Sequence, residues 1–362
     1  MTKLHAPLSL FRGPDWPNRL VLAPMTNRQS NEDGTLSENE LRWLERRARG
    51  GFGLVMTCAA HVSINGQGWP NELGVWSDAH IPGLRRLADG LRAAGARSSI
   101  QLHHGGLRAD ATVVPDRVAP WDDSASGARA LSETEIHGLV QDFIDAAVRA
   151  ETAGFDGVEV HGAHGYLIAQ FLDSDRNNRT DGYGSSLEGR SRFLNEILIG
   201  IRRSTGPDFQ VGLRLSPERY GIRLSDAKAL AQDVMTWGLI DYLDMSLWDV
   251  YKAPHSPSDD PRPLVVQFAE LDRGKARLGV AGKIRTASDA QACLEVGADF
   301  VAVGTGGILH HDFAARAMND PGFTAVNTPV SYDHLRNESV SDPFIEYLTE
   351  IRKDFVRSPE AD

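Results

Sequence analysis

A chain of 362 residues, 41% hydrophobic and 24% charged, has enough apolar material to bury a large core, which excludes a compositionally disordered chain. Its 38 basic and 49 acidic residues leave a net charge of −11, and without a local basic run this argues against nucleic acid or an anionic membrane as a partner. Cys58 and Cys293 are too few for a disulfide framework or a cysteine-held cluster, so redox chemistry in this chain requires an organic cofactor.

In chain order, short β-branched runs alternate with segments of helical periodicity. A strand over 19–25 precedes a helix over 37–49, a strand over 53–59 a helix over 81–94, and a strand over 98–103 a helix over 132–153. Strands over 157–161, 210–215 and 242–247 follow, with helices over 187–204 and 225–237 between them. The last strands are 278–281 and 300–303, separated by a helix over 287–296. Ser37 with Glu40 and Ser132 with Glu135 have capping-box spacing, while Gly95, Gly154 and Gly297 mark helix ends. Eight strands joined by helices imply parallel pairing, and the spacing predicts an α/β fold: a (β/α)₈ TIM barrel in one domain spanning 1–362. The barrel occupies about 18–320, with a C-terminal extension over 321–362 whose apolar PFIEYL covers the barrel or reaches a neighbouring subunit. The opening MTKLHAPLSLFRGPDW has no continuous apolar core, and no apolar stretch approaches membrane-spanning length, so a cytoplasmic location is expected.

Long connections follow the third strand, 105–131, and the sixth, 248–263, and read as lids over the mouth or as variable surface loops. Strand ends are where barrel enzymes place chemistry. The seventh and eighth strands end in GVAG and AVGTGG, and glycines there let backbone N–H groups approach a phosphate. Arg214 closes the fifth strand, where it either offsets charge on a reduced ring system or makes a structural salt bridge. The fourth strand ends in His161, followed by His164 and Tyr166, so a short helix leaving it aims two imidazoles and a phenol into one pocket. Two imidazoles can polarise a carbonyl or nitro oxygen, and a phenol can supply a proton. The same histidines, with His103 and His104, leave open ring packing or a metal site, although no carboxylate or thiolate at a strand end completes a zinc ligand set.

With LAPMTN, LGVWSDAHIPGL, SSIQLHHGG, GFDGVEVHGAHGYLIAQFLDSDRNNRTDGYG and VGLRLS in place, the chain resembles the Old Yellow Enzyme family of flavin oxidoreductases over about 18–320. The resemblance implies FMN across the barrel mouth. Ala23, Pro24, Met25, Thr26 and Ala59 would hold it, with Gln101 at the pyrimidine portion and Arg214 beside N1 and O2. The phosphate would lie against Gly282, Lys283, Gly304 and Thr305. It also implies an ene-reductase in which NAD(P)H reduces FMN and an electron-poor alkene then takes a hydride from flavin N5. His161 and His164 would bind the activating oxygen of that alkene and Tyr166 would protonate its α-carbon. No metal is implied, and homo-oligomers occur in the family. The chain departs from the family pattern at Thr305, where the family usually has Arg against the phosphate, and at Thr26-Asn27-Arg28, where one subgroup has cysteine and tyrosine. Flavin-dependent oxidation, desaturation or demethylation on the same site, and a non-redox metal-dependent lyase, stand as alternatives.

Overall fold

The computed structural model describes residues 3–255 and 260–357, and part of the loop expected over 248–263 lies outside them. Its eight parallel barrel strands are β1 (Leu20–Leu22), β2 (Leu54–His61), β3 (Arg97–His103), β4 (Gly157–Gly162), β5 (Gln210–Leu215), β6 (Tyr242–Ser246), β7 (Arg277–Ala281) and β8 (Phe300–Val303). Each neighbours the next, and β1 closes the ring by pairing with both β8 and β2. Around it run α1 (Glu38–Arg49), α2 (Ile81–Ala93), α3 (Glu133–Ala153), α4 (Leu187–Ser204), α5 (Leu224–Thr236), α6 (Leu264–Ala269), α7 (Ala287–Val296) and α8 (Phe313–Asn319). Two further helices, Tyr332–Asn337 and Asp342–Ile351, follow the barrel.

The elements form where the pattern places them because each local signal agrees with the ring. The β1 ladder ends at Leu22 rather than running to 25, since Pro24 has no N–H to donate. Gly154 and Gly297 end α3 and α7 in the left-handed conformation, at φ 92° and 117°. The Ser132–Glu135 box is closed in both directions. At α1 only half of that motif forms: Ser37 accepts from Glu40 N, and the Glu40 carboxylate turns inward. There it accepts from Asn27 Nδ2 at 3.0 Å and from the Ser30 hydroxyl, with the Cys58 thiol 3.0 Å away. That buried hub fastens the loop after β1 beneath the barrel mouth.

The closed end of the barrel is plugged by the N-terminal segment. Trp16 packs edge-on against Tyr242 and Phe300, with ring centroids 5.2 and 5.0 Å away, and its indole N–H donates to Gln210 Oε1 at 3.0 Å. Gly212 on β5 and Gly279 on β7 make room for those rings, because a Cβ there would lie 2.1 Å from Tyr242 and 2.0 Å from Phe300. A second apolar shell fills the space between barrel and helices. With the bottom sealed, the opposite end is left for a site. No helix among the described residues is long and apolar enough to cross a membrane.

Candidate active site

Above the aromatic plug the barrel interior turns polar. Gln101 is level with Glu159 in the β3–β4 register and donates to its Oε1 at 2.7 Å. Arg214 is level with Asp244 across β5–β6, with Nε 3.3 Å from Oδ2, and it also faces His161 across β4–β5. A register shift in β2 between Met56 and Ala59 sets Ala59 opposite Gln101. This layer is the floor of a cavity of about 220 Å³.

The cavity gathers nine of the residues expected from the sequence: Pro24, Met25, Thr26, Ala59, Gln101, His161, His164, Tyr166 and Arg214. Ala23, Gly282, Lys283, Gly304 and Thr305 stand outside its lining. Ala23 is buried, its N–H donating to Val303 O at 3.1 Å. A Cβ on Gly304 would sit 3.4 Å from Met25 Sδ, so the end of β8 borders the same space. Lys283 is 72% exposed and lies 3.2 Å from Asp249 Oδ2.

A turn, rather than the expected helix, presents the two imidazoles and the phenol. His164 and Gly165 take φ of 60° and 73°, and the helix Leu167–Leu172 begins only after Tyr166. The conformation is costly for histidine and is held from both sides. Ser216 Oγ accepts from His164 N at 3.0 Å, and Arg108 donates to the His164 carbonyl. The result is convergence: His161 Nε2 and His164 Nδ1 lie 3.3 Å apart, while His164 Nε2 meets Ser246 Oγ at 2.8 Å. Burial drives both imidazoles toward their neutral forms, His164 down to about 3 and His161 well below its usual value, with Arg214 adding to the effect. Burial also raises the Tyr166 phenol to about 12, opposed by the Arg108 guanidinium 5.0 Å from its ring.

His103 and His104 do not join the pair as metal ligands. His103 Nδ1 is 2.7 Å from Glu72 Oε1 in a fully buried contact, and its ring packs edge-on against Tyr166 at 4.4 Å. His104 Nδ1 accepts from Gly106 N at 3.1 Å. Among the described residues no group of three or more His, Cys, Asp or Glu is arranged to hold a metal ion.

Sequence reasoning missed Trp69, Ser246 and Arg108, and left open whether the C-terminal segment covers the barrel or a neighbouring subunit. Phe344, Tyr347, Leu348, Ile351 and Arg352 of the C-terminal segment line the cavity, so PFIEYL covers this chain's own barrel. Phe344 docks on Trp43 of α1, ring centroids 5.6 Å apart, and Thr26 hydrogen-bonds Tyr347. Arg28 pairs with Glu350 at 3.0 Å and lies 4.8 Å from the Tyr347 ring, which fastens the roof.

The cavity suits a flat heteroaromatic cofactor, with thioether and aliphatic surface from Met25, Ile308 and Leu348 and amide and guanidinium donors from Gln101 and Arg214. The buried Arg214 guanidinium lines the cavity while its Nε lies 3.3 Å from Asp244 Oδ2 without an aligned hydrogen bond. Fold and site together define a TIM-barrel flavin oxidoreductase. Comparison with known proteins agrees: residues 3–320 match the NADH:flavin oxidoreductase / NADH oxidase family. The probable NADH-dependent flavin oxidoreductase YqiG of Bacillus subtilis (strain 168) is 38% identical over 313 residues, covering 83% of this chain and 84% of that protein. The NADPH dehydrogenase of the same organism is 33% identical over 342 residues, 91% and 98% of the two chains. The structure of morphinone reductase in complex with tetrahydroNAD superposes with a TM-score of 0.78 at 30% identity, covering 92% of this chain and 94% of that one. The chain belongs to the NADH:flavin oxidoreductase family, also called the Old Yellow Enzyme family, whose cofactor is FMN and whose reductant is NADH or NADPH.

Proposed function

We propose that this flavin oxidoreductase reduces activated C=C bonds in small electron-poor alkenes such as enones, enals, maleimides and nitroalkenes. The observation that carries the reading is the pairing of His161 and His164 in the cavity lining, with Nε2 of one and Nδ1 of the other 3.3 Å apart and within hydrogen-bonding reach of each other. Two neutral imidazoles so placed polarise a single substrate oxygen without the desolvation cost of a buried cation. Ala23, Pro24, Met25, Thr26, Ala59, Gln101 and Arg214 hold the flavin ring, and Gly282, Lys283, Gly304 and Thr305 its phosphate end. Bound FMN supplies the hydride. Tyr166, kept protonated by burial, delivers the proton to the carbon next to the polarised group. As the test, the purified protein is expected to show an oxidised-flavin spectrum that NADH or NADPH bleaches without oxygen and that cyclohexenone or N-ethylmaleimide restores. Bleaching with no recovery on any activated alkene overturns the reading.

Ser246 has a part in this. For both converging nitrogens to donate to a substrate oxygen, His164 must carry its hydrogen on Nδ1, which leaves Nε2 to accept from the Ser246 hydroxyl 2.8 Å away. Ser246→Ala is expected to lower kcat/KM for the alkene about 3- to 10-fold, the loss of one net hydrogen bond. Ser246→Thr should restore it. A Thr variant as impaired as the Ala variant would leave Ser246 a packing residue only.

A further inference from the structure

Strand β8 runs into Gly304-Thr305-Gly306, and threonine brings no positive charge to the phosphate end of the site. Lys283, the cation at the end of β7, is largely exposed and already paired with Asp249 at 3.2 Å. Arg352, the residue after the C-terminal helix, reaches back instead: its Nη1 donates to Thr305 Oγ1 at 3.1 Å. Forty-seven positions of chain separate the two, so the tertiary fold brings them together. Among the described residues no carboxylate forms an ion pair with Arg352; its guanidinium carbon lies 5.4 Å from the Phe355 ring, and the Tyr347 phenol is also near enough to interact electrostatically.

The backbone that carries this side chain is fastened at both ends. Arg352 N donates to Leu348 O at 3.0 Å, and Phe355 N donates to Arg352 O at 2.9 Å. Beyond the turn, Val330 N donates to Phe355 O at 3.0 Å and Arg357 N to Val330 O at 2.8 Å, while Phe355 and Val356 are buried. Arg352 also lines the cavity that holds Met25, Ile308 and Arg214. A cation held beside a strand-eight hydroxyl, with no carboxylate among the described residues in an ion pair with it, is suited to a phosphate dianion, since a guanidinium binds two of its oxygens at once.

We propose that Arg352 grips the FMN phosphate in this chain, so that the C-terminal extension supplies, from the same polypeptide, the charge that β8 lacks. Thr305 then turns its hydroxyl to donate to a phosphate oxygen beside the guanidinium. The inference rests on reading the phosphate against Gly282 and Gly304.

The test is titration of flavin-depleted full-length protein with FMN and with riboflavin, which lacks the phosphate, followed by flavin fluorescence quenching. The wild type is expected to bind FMN well over tenfold more tightly than riboflavin. Arg352→Gln should weaken FMN about tenfold or more, the contribution of a charge-assisted hydrogen bond, and leave riboflavin within about twofold. The double variant Thr305→Arg with Arg352→Gln, which returns the charge to β8, should recover FMN binding. Unchanged FMN affinity in Arg352→Gln, or equal losses for both flavins, overturns the role of Arg352. A wild type that binds both flavins alike instead overturns the phosphate reading itself, and the inference falls with it.

Discussion

Replacing His161 or His164 with Ala is expected to cut alkene reduction by about 10²- to 10³-fold, the cost of removing one preorganised donor from a site where charge develops. The flavin should stay bound, because neither imidazole is needed by the floor residues Gln101 and Arg214, which have their own partners in Glu159 and Asp244. The expected result is therefore a yellow protein with slow alkene turnover. Because burial holds both imidazoles neutral far below neutral pH, the oxygen-binding step should not weaken between about pH 6 and 9 through their titration. Stopped-flow reoxidation of the reduced protein by cyclohexenone checks both points. Full-speed reoxidation in the two single variants would remove these residues from the substrate anchor.

Tyr166→Phe tests the other half of the site. Loss of a general acid typically costs about 10²- to 10⁴-fold, so reoxidation by the alkene should slow by that order while bleaching by the nicotinamide changes little. The sign of the pH dependence follows from burial. A phenol raised to about 12 keeps its proton through the alkaline range, so wild-type reoxidation should show no alkaline fall below about pH 10 from this group. Arg108 works against that rise, and Arg108→Ala should push the phenol higher still while loosening the His164 turn. Equal slowing of both half-reactions by Tyr166→Phe would argue for a packing role against His103 and Trp69 rather than proton delivery.

How much of this was legible from residue order follows from the range of the forces involved. Strand and helix identity, eightfold alternation and the assignment of Gln101, His161 and Arg214 to the mouth came from local periodicity, because a barrel strand's last residues must face its open end. The segment from His161 to Tyr166 was also readable as a cluster, since only five positions separate its ends. Its geometry was not: the turn at His164 depends on Ser216, 52 positions on, and Arg108, 56 positions back. Ser246 meets His164 across 82 positions, and Arg28 meets Glu350 across 322.

By itself, then, the sequence determined the barrel, its register of polar and apolar faces and the chemistry carried to the mouth, all of which arise from short-range pattern and burial. Tertiary structure alone decided which nitrogens of the two imidazoles meet, that the C-terminal helix forms the cavity's roof, and that the cation beside Thr305 is Arg352. Those contacts join segments far apart in the chain, and their energies depend on three-dimensional proximity that no local spacing encodes.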